Sequence, residues 1–309
     1  MDKIKIALIG GGWSSEREIS LKSTEAVYKA LDRRKYEIRI LDPRDDLKEL
    51  IEAKKDIDLA FILLHGKYGE DGRMQGLLEI LRIPFVGSGV LSSAMAMNKK
   101  VCKDIYRKAG LPVGKDVVVK NGEKYSAQYI FENVGSPVIT KPVSEGSSIG
   151  ISLCYNEEEL ERGIEKALQC DYEVIIEEYL EGIEITCCIY GNNNLKSFPL
   201  IEIVPKKKHV IFDFEAKYKT GETEEICPAR LSISMKEKAV EYAIKAHKAL
   251  ECRVWSRSDM IVREEEIYLL ETNTIPGMTE NSLFPLAART AGLSLSDLAD
   301  KIISLSLEA

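Results

Sequence analysis

The stretch from Ile267 to Ser282, Ile-Tyr-Leu-Leu-Glu-Thr-Asn-Thr-Ile-Pro-Gly-Met-Thr-Glu-Asn-Ser, constrains this chain more than any other. Its apolar run, Ile267 to Leu270, predicts a buried strand that stops at a carboxylate. Alternation along a strand puts Glu271 and Asn273 on one face. Both present hard oxygen atoms of the kind Mg²⁺ accepts beside substrate phosphates. Pro276-Gly277 then forces a turn, where a glycine lets backbone N–H groups come close to a ligand. Taken alone, Glu-x-Asn is equally compatible with a strand ending in a polar turn. The turn and a second motif further upstream favour the ligand-binding reading.

The first third alternates strand and helix. Strands are predicted at Ile4–Ile9, Tyr36–Leu41 and Leu59–Leu64, with helices from near Ser15 and over Leu47–Ala53. This order implies a parallel sheet with helices on both faces. Ser15-Glu-Arg-Glu18 fits a capping box. Gly10-x-Gly12-x-x-Ser15 approaches a dinucleotide fingerprint but lacks its third glycine. Asp42 follows Gly12 by about 30 residues, where about 20 are expected. A Gly-rich turn at a helix N-terminus, suited to placing polar groups on a substrate, is the better reading. His65 opens the loop His65-Gly-Lys-Tyr-Gly-Glu-Asp-Gly72 at the carboxyl end of the third strand, where ligands of open parallel sheets bind.

Helices Ser92–Asn98 and Lys99–Ala109 lead to the stop Gly110-Leu-Pro112. Strand Asp116–Val119, helix Ala127–Asn133 and strand Pro137–Lys141 follow. Next comes Lys141-Pro-Val-Ser-Glu-Gly-Ser-Ser-Ile-Gly150, a hydroxyl-rich glycine turn behind a lysine. Such a turn can close on phosphates with its N–H and O–H groups, although as a bare pattern it is also a flexible hairpin. Helix Glu157–Gln169 and strand Glu173–Glu178 complete this region. Strands Glu184–Tyr190 and Lys196–Val204 precede a long polar stretch, Pro205–Glu225, and loops of that length inside a domain are uncommon and usually functional. Helix Met235–Leu250, strand Arg253–Val262 and helix Leu295–Ser306 account for most of the remainder.

Composition excludes several classes. The chain has 309 residues and a net charge of −7, which argues against a nucleic-acid partner because such proteins carry a basic footprint. A polyanionic ligand must therefore be held by a local Lys/Arg cluster. Seven cysteines without a C-x-x-C pair suggest neither zinc nor a disulfide framework, and they read as buried thiols of a reducing compartment. No apolar run reaches the roughly 20 residues of a membrane span, and the opening run to Gly10 is shorter than a signal peptide is expected to need. The expectation is a cytoplasmic protein with no membrane partner.

Asp259 on one strand and Glu271-x-Asn273 on the next make three oxygen ligands on an antiparallel pair, with Arg257 on the same face. With the Ser/Gly flap and its lysine these are the parts of phosphoryl transfer. At this point the chain resembles the D-alanine–D-alanine ligase family of the ATP-grasp superfamily. The resemblance rests on Gly11-Gly-Trp-Ser-Ser-Glu16-Arg-Glu-Ile-Ser-Leu, His65-Gly…Gly69-Glu-Asp-Gly72, Lys141-Pro…Glu145-Gly-Ser-Ser-Ile-Gly150, Glu215-Ala-Lys-Tyr218 and Glu271-Thr-Asn-Thr-Ile-Pro-Gly-Met-Thr279 with Ser282. It runs from Gly10 to the last helix.

The resemblance implies an α/β (α+β) ATP-grasp fold with a Rossmann-like substrate domain (1–96), a central domain (97–181) and a C-terminal catalytic domain (182–309). It implies ATP-dependent joining of two D-alanines through a D-alanyl phosphate, for peptidoglycan precursors, by a homodimer using two Mg²⁺ or Mn²⁺ ions. Lys99 and Lys141 would hold ATP phosphates, Glu177 and Glu184 the adenine and ribose, and Asp259, Glu271 and Asn273 the ions. Glu16 would pair with the first D-alanine's ammonium, His65 would lie near its carboxylate, and Ser147 and Tyr218 would link to Glu16. Arg257 and the Gly277 N–H would stabilise the oxyanion, Lys217 would hold the transferred phosphate, and Ser282 would take the second D-alanine's carboxylate. Residues 205–225 would form a lid. Asn98 and Ile275 depart from the family pattern, which usually has Asp and Ser there. The rivals are another ATP-grasp carboxylate–amine ligase, an ester-forming D-lactate variant (against which Tyr218 argues) and a non-catalytic nucleotide-binding module, which would not need Arg257 with all three oxygen ligands.

Overall fold

In the first strand, β1 (Ile4–Ile9), every second residue serves a different core. Ile6 and Leu8 pack with Val27, Leu298 and Ile302, while Ala7 and Ile9 pack with Leu50, Met74 and Leu78. A strand buried on both faces is what a parallel sheet covered by helices requires. β1 lies between β2 (Tyr36–Leu41) and β3 (Leu59–Ile62), parallel to both. The helices of this region are α1 (Arg17–Ala30), α2 (Pro43–Glu52), α3 (Arg73–Leu81) and α4 (Val90–Met97). The structure, a computed structural model, describes residues 3–146, 149–205 and 223–308.

A second sheet, fully antiparallel, has the order β4–β7–β5–β6, built from β4 (Asp116–Lys120), β5 (Val138–Pro142), β6 (Ser152–Cys154) and β7 (Glu173–Glu178). Helix α5 (Lys99–Lys108) leads into it, and α6 (Ala127–Val134) and α7 (Glu157–Leu168) accompany it. Asn98, Ser126 and Asn156 cap these three helices through their side chains, satisfying amides that would otherwise lack partners. That cap accounts for Asn98, since an asparagine oxygen serves there as well as a carboxylate.

The third sheet runs β11–β10–β8–β12–β13, with β9 beside β8. Its strands are β8 (Ile183–Gly191), β9 (Lys196–Ser197), β10 (Ile201–Pro205), β11 (Thr223–Ile226), β12 (Val254–Arg263) and β13 (Glu266–Asn273). Helix α8 (Ile233–Ala249) covers it, and α9 (Leu283–Thr290) and α10 (Leu295–Leu307) return to the first region. Phe284 of α9 meets Trp255 edge-on at 5.2 Å between centroids, and Trp255 meets Phe61 of β3 at 5.9 Å. These aromatics join the first and third sheets. Among the described residues no helix is long and apolar enough to cross a membrane. All seven cysteines are free, and five are buried.

Several expectations need correction. Helix α1 starts at Arg17, and its Glu16 cap position makes no side-chain capping bond, so Ser15-x-x-Glu18 is not a capping box. Ser14 acts instead: its hydroxyl donates to the His65 carbonyl at 2.6 Å and accepts from the Glu16 amide at 3.2 Å. The strand expected over 196–204 is two strands, broken at Pro199, which has no amide to donate. The stretch 205–225 is not all loop, because Thr223–Ile226 pairs antiparallel with β10, Pro205 opposite Thr223. Helices α3 and α9 were not expected.

His247, buried on α8, meets the Ser256 hydroxyl of β12 at 2.7 Å through Nδ1. Burial lowers its pKa from 6.5 to about 4. A folded pKa below the unfolded one means the unfolded chain binds more protons as pH falls. This stabilisation is therefore complete above about pH 6.5 and lost on approaching pH 4. Between pH 7 and 4.5 it should fall by about 2–3 kcal/mol. Urea unfolding at both pH values should show a smaller loss in His247→Gln than in the parent, and equal losses would rule this origin out.

Candidate active site

The site is organised on β12 and β13. Their register sets Asp259 opposite Glu271 and Arg257 opposite Asn273, so all four residues share one face, as the alternation demanded. Arg257 donates to Asp259 twice, Nε to Oδ1 at 3.0 Å and Nη2 to Oδ2 at 2.8 Å. The Thr186 hydroxyl adds 2.5 Å to Oδ1. Burial works against the Arg257 charge, but Asp259 overrides it and raises the guanidinium pKa. Asn273 Oδ1 accepts from the Ile275 amide at 2.9 Å, tying the strand end to the turn. Ile275 is itself buried in the core beside the first sheet, which accounts for an apolar residue at that position.

Among the described residues no group of three or more His, Cys, Asp or Glu could hold a metal ion. Two carboxylates and an amide are too few ligands for a stand-alone cation. They suit Mg²⁺, which completes its octahedron with waters and phosphate oxygens.

Glu16 is buried at the start of α1. A Cβ placed on Gly66 or on Gly146 would lie 2.7 Å from its Oε2, so the His-Gly loop and the flap both close on this carboxylate. Only glycine permits that approach. Within the same loop His65 Nδ1 lies 3.3 Å from Glu70 Oε1, and Nε2 lies 3.3 Å from the Ser23 hydroxyl. Ser23 also accepts from the Met278 amide at 3.4 Å. The strand-end histidine is thereby linked to the Pro276-Gly277 turn. Burial raises the Glu70 pKa, against the His65 contact and with the neighbouring Glu16 charge.

Asp42 is fully engaged: it accepts from the Gly12 amide at 2.9 Å, pairs with Arg17 and caps α2. This leaves it no dinucleotide ribose to bind. Ser282 lies at the N-terminus of α9, its hydroxyl 2.8 Å from that of Thr279. A Cβ on Gly277 would reach within 2.8 Å of the same hydroxyl.

Two cavities adjoin here. One, of about 460 Å³, includes Lys99, Lys141, Glu177, Glu184, Asp259 and Glu271 in its wall. The other, of about 770 Å³, includes Glu16, His65, Arg257, Asn273, Gly277 and Ser282. Lys99, Glu145, Gly146, Glu184, Asp259 and Glu271 line both. The Lys99 ammonium donates to the Glu145 carbonyl at 2.5 Å, and Lys67 pairs with the Glu145 carboxylate. Lys141 lies 2.6 Å from Glu177 Oε2. Burial opposes both charges, yet Lys103 and Lys141 hold the Glu177 pKa down, and Glu177 raises that of Lys141.

Every expected site residue within the described part therefore lies on one of these two cavities. Ser147, Lys217, Tyr218 and most of the expected lid lie outside the described residues. Glu70 and Glu145 stand in the quoted motifs but carry no expected role, and Ser23 and Lys103 escaped sequence reasoning. Lys103 stands four residues beyond Lys99, on the same helix face, and that spacing was the one available signal.

Known proteins bear on this arrangement. The family profile described as D-ala D-ala ligase C-terminus matches residues 105–304, and that described as D-ala D-ala ligase N-terminus matches 42–88. A D-alanine–D-alanine ligase from Syntrophobacter fumaroxidans is 50% identical over 307 residues, covering 99% of each chain. One from Desulfotalea psychrophila is 46% identical over 309 residues, 99% of this chain and 96% of its own. The crystal structure of D-alanine–D-alanine ligase from Bacillus anthracis complexed with ATP superposes with a TM-score of 0.86 at 37% identity, over 99% of this chain and 98% of that one. The VanG D-Ala:D-Ser ligase from Enterococcus faecalis gives 0.85 at 33% identity, over 99% and 100%. The fold is thus the ATP-grasp fold of these ligases. By its profiles, its identity to whole relatives and its superposition on them, the chain belongs to the D-alanine–D-alanine ligase family.

Proposed function

We propose that this chain joins two D-alanines into D-alanyl-D-alanine with ATP, and that the two adjoining cavities divide the work. One observation supports this most: the cavity wall carrying Asp259 and Glu271 faces both spaces, so a phosphoryl group held on one side is within reach of a carboxylate held on the other. A carboxylate is a poor electrophile. Transfer of the γ-phosphoryl group to one of its oxygens gives an acylphosphate and releases ADP. The amine of the second D-alanine then attacks the carbonyl carbon, the tetrahedral oxyanion collapses, phosphate leaves and the amine gives up its proton.

In this reading Lys99 and Lys141 hold phosphates, and Glu177 and Glu184 face the nucleoside. Glu16 takes the first ammonium, held through Ser14 and the two glycines, and His65 orients the first carboxylate. Arg257 and the Gly277 amide receive the oxyanion. Two of the Arg257 nitrogens are committed to Asp259, while Nη1 makes no hydrogen bond among the described residues. Ser282, at a helix N-terminus whose amides favour anions, takes the second carboxylate. Asp259, Glu271 and Asn273 would hold two Mg²⁺ or Mn²⁺ ions, which supply charge neutralisation to the transferring phosphoryl group. Ser147, Lys217 and Tyr218 are assigned from the resemblance alone, as are the domain limits 1–96, 97–181 and 182–309 and the homodimer, while the cytoplasmic setting rests on the free cysteines and the lack of a long apolar run in the sequence.

The test is phosphate release with ATP and Mg²⁺ on adding D-alanine, set against L-alanine, with D-serine and D-lactate as competing second substrates. Release with D-alanine and formation of the dipeptide are expected; equal release with L-alanine would refute the assignment.

Gly146→Ala supplies a sharper check. The added methyl would meet the Glu16 carboxylate at 2.7 Å, forcing the flap or the carboxylate to move. The KM of the more tightly bound D-alanine should rise roughly tenfold, with that of ATP little changed, since a misplaced charged partner costs about 1.5–3 kcal/mol. A change confined to the ATP KM would separate the flap from Glu16.

A further inference from the structure

The nucleotide cavity contains a buried charge that the reaction itself does not use. Lys103 of α5 is 3% exposed, and its ammonium lies 2.7 Å from Glu177 Oε1 and 3.4 Å from Asp116 Oδ1. Asp116 and Glu177 are direct cross-strand partners on β4 and β7, a pairing of like charges that destabilises a sheet unless something compensates. Arg107 pairs with the same Asp116 oxygen that Lys103 approaches. Glu177 is thus shared, Lys103 on one oxygen and Lys141 on the other. A phosphate competes with Glu177 for the Lys141 ammonium, and a buried carboxylate whose only cation is drawn away pulls that cation back.

We infer that Lys103 is a positioning residue for nucleotide binding: it holds the charge of Glu177 so that Lys141 can transfer its ammonium to the ATP phosphates. The inference rests on the reading of Lys141 as a phosphate ligand and extends it to a residue that need not touch the nucleotide. Burial outweighs Glu177 in lowering the Lys103 pKa, consistent with a charge kept there only by its carboxylate neighbours. An electrostatic role independent of Lys141 would look different, because it would add to the effect of Lys141 instead of acting through it.

The experiment is a set of ATP affinities measured by calorimetry with Mg²⁺ and without D-alanine, on variants whose folding is followed by urea unfolding. Lys141→Met should weaken ATP binding roughly 10- to 100-fold, the range of a charge-assisted contact. Lys103→Met should weaken it about tenfold, and the double variant should be no weaker than Lys141→Met alone. Lys103→Arg should restore most of the affinity. Should Lys103→Met fail to fold, the comparison moves to a Glu177→Gln background, where no uncompensated carboxylate remains and Lys141 is already released. There Lys103→Met should change ATP affinity less than about threefold. Losses that multiply in the double variant, or an undiminished loss in the Glu177→Gln background, would overturn the inference. An unchanged affinity in Lys141→Met would instead refute the phosphate-ligand reading beneath it.

Discussion

Arg257→Met is expected to lower kcat by about 10²–10³-fold, the loss recorded when one preorganised oxyanion donor is removed. The reason lies in the geometry of β12. The guanidinium is fixed by two bonds to Asp259, so it is aimed before charge develops and needs no reorganisation at the moment of reaction. The same change strands the Asp259 carboxylate, which keeps Thr186 but loses its cation. Removing one partner of a buried pair costs about 3–5 kcal/mol, so a lower urea midpoint should accompany the lost turnover. Arg257→Lys separates the two effects. An ammonium retains charge beside Asp259 but not the planar two-point grip, so stability should recover more than kcat does. A kcat within tenfold of the parent in Arg257→Met, measured on folded protein, would remove Arg257 from the chemistry.

Glu271→Gln should reduce turnover at least about 100-fold at ordinary Mg²⁺ concentrations, with part of the loss recovered as Mg²⁺ rises. Glutamine preserves shape and one acceptor oxygen, so β13 should stay paired with β12 and the unfolding midpoint should shift little. The change removes one of two carboxylates in a donor set whose third member is neutral, and that halves its anionic charge. Phosphate release from ATP and D-alanine, followed across a Mg²⁺ titration, reads both parts of the expectation. Near-normal turnover with an unchanged Mg²⁺ requirement would mean that Glu271 does not serve the ion.

Local chemistry was enough to reveal the strands of the first sheet, most of the longer helices and the face shared by Arg257, Asp259, Glu271 and Asn273. Periodicity dictates which side chains lie together on a strand, and an apolar run cut off by polar residues marks where the strand ends. Gly66 and Gly146 could be seen as loop glycines, but not that both would close on Glu16, since they are 80 residues apart and their loops follow strands of different sheets. Ser15-x-x-Glu18 shows the opposite failure. The pattern is a sound local cap, yet a tertiary bond from Ser14 to the His65 carbonyl fixes a turn there, and the helix begins only at Arg17.

The sequence by itself determined the reaction class, because lysines beside a Gly-rich flap and a strand face of hard oxygen atoms are each properties of a few neighbouring residues. Tertiary structure alone decided how the charges are apportioned: that Glu177 holds Lys103 and Lys141 together, that Glu70 sits against His65, and that one wall serves both cavities. Those arrangements depend on Coulomb interactions acting over a few ångströms between groups remote in the chain, and such distances exist only once the sheets have packed.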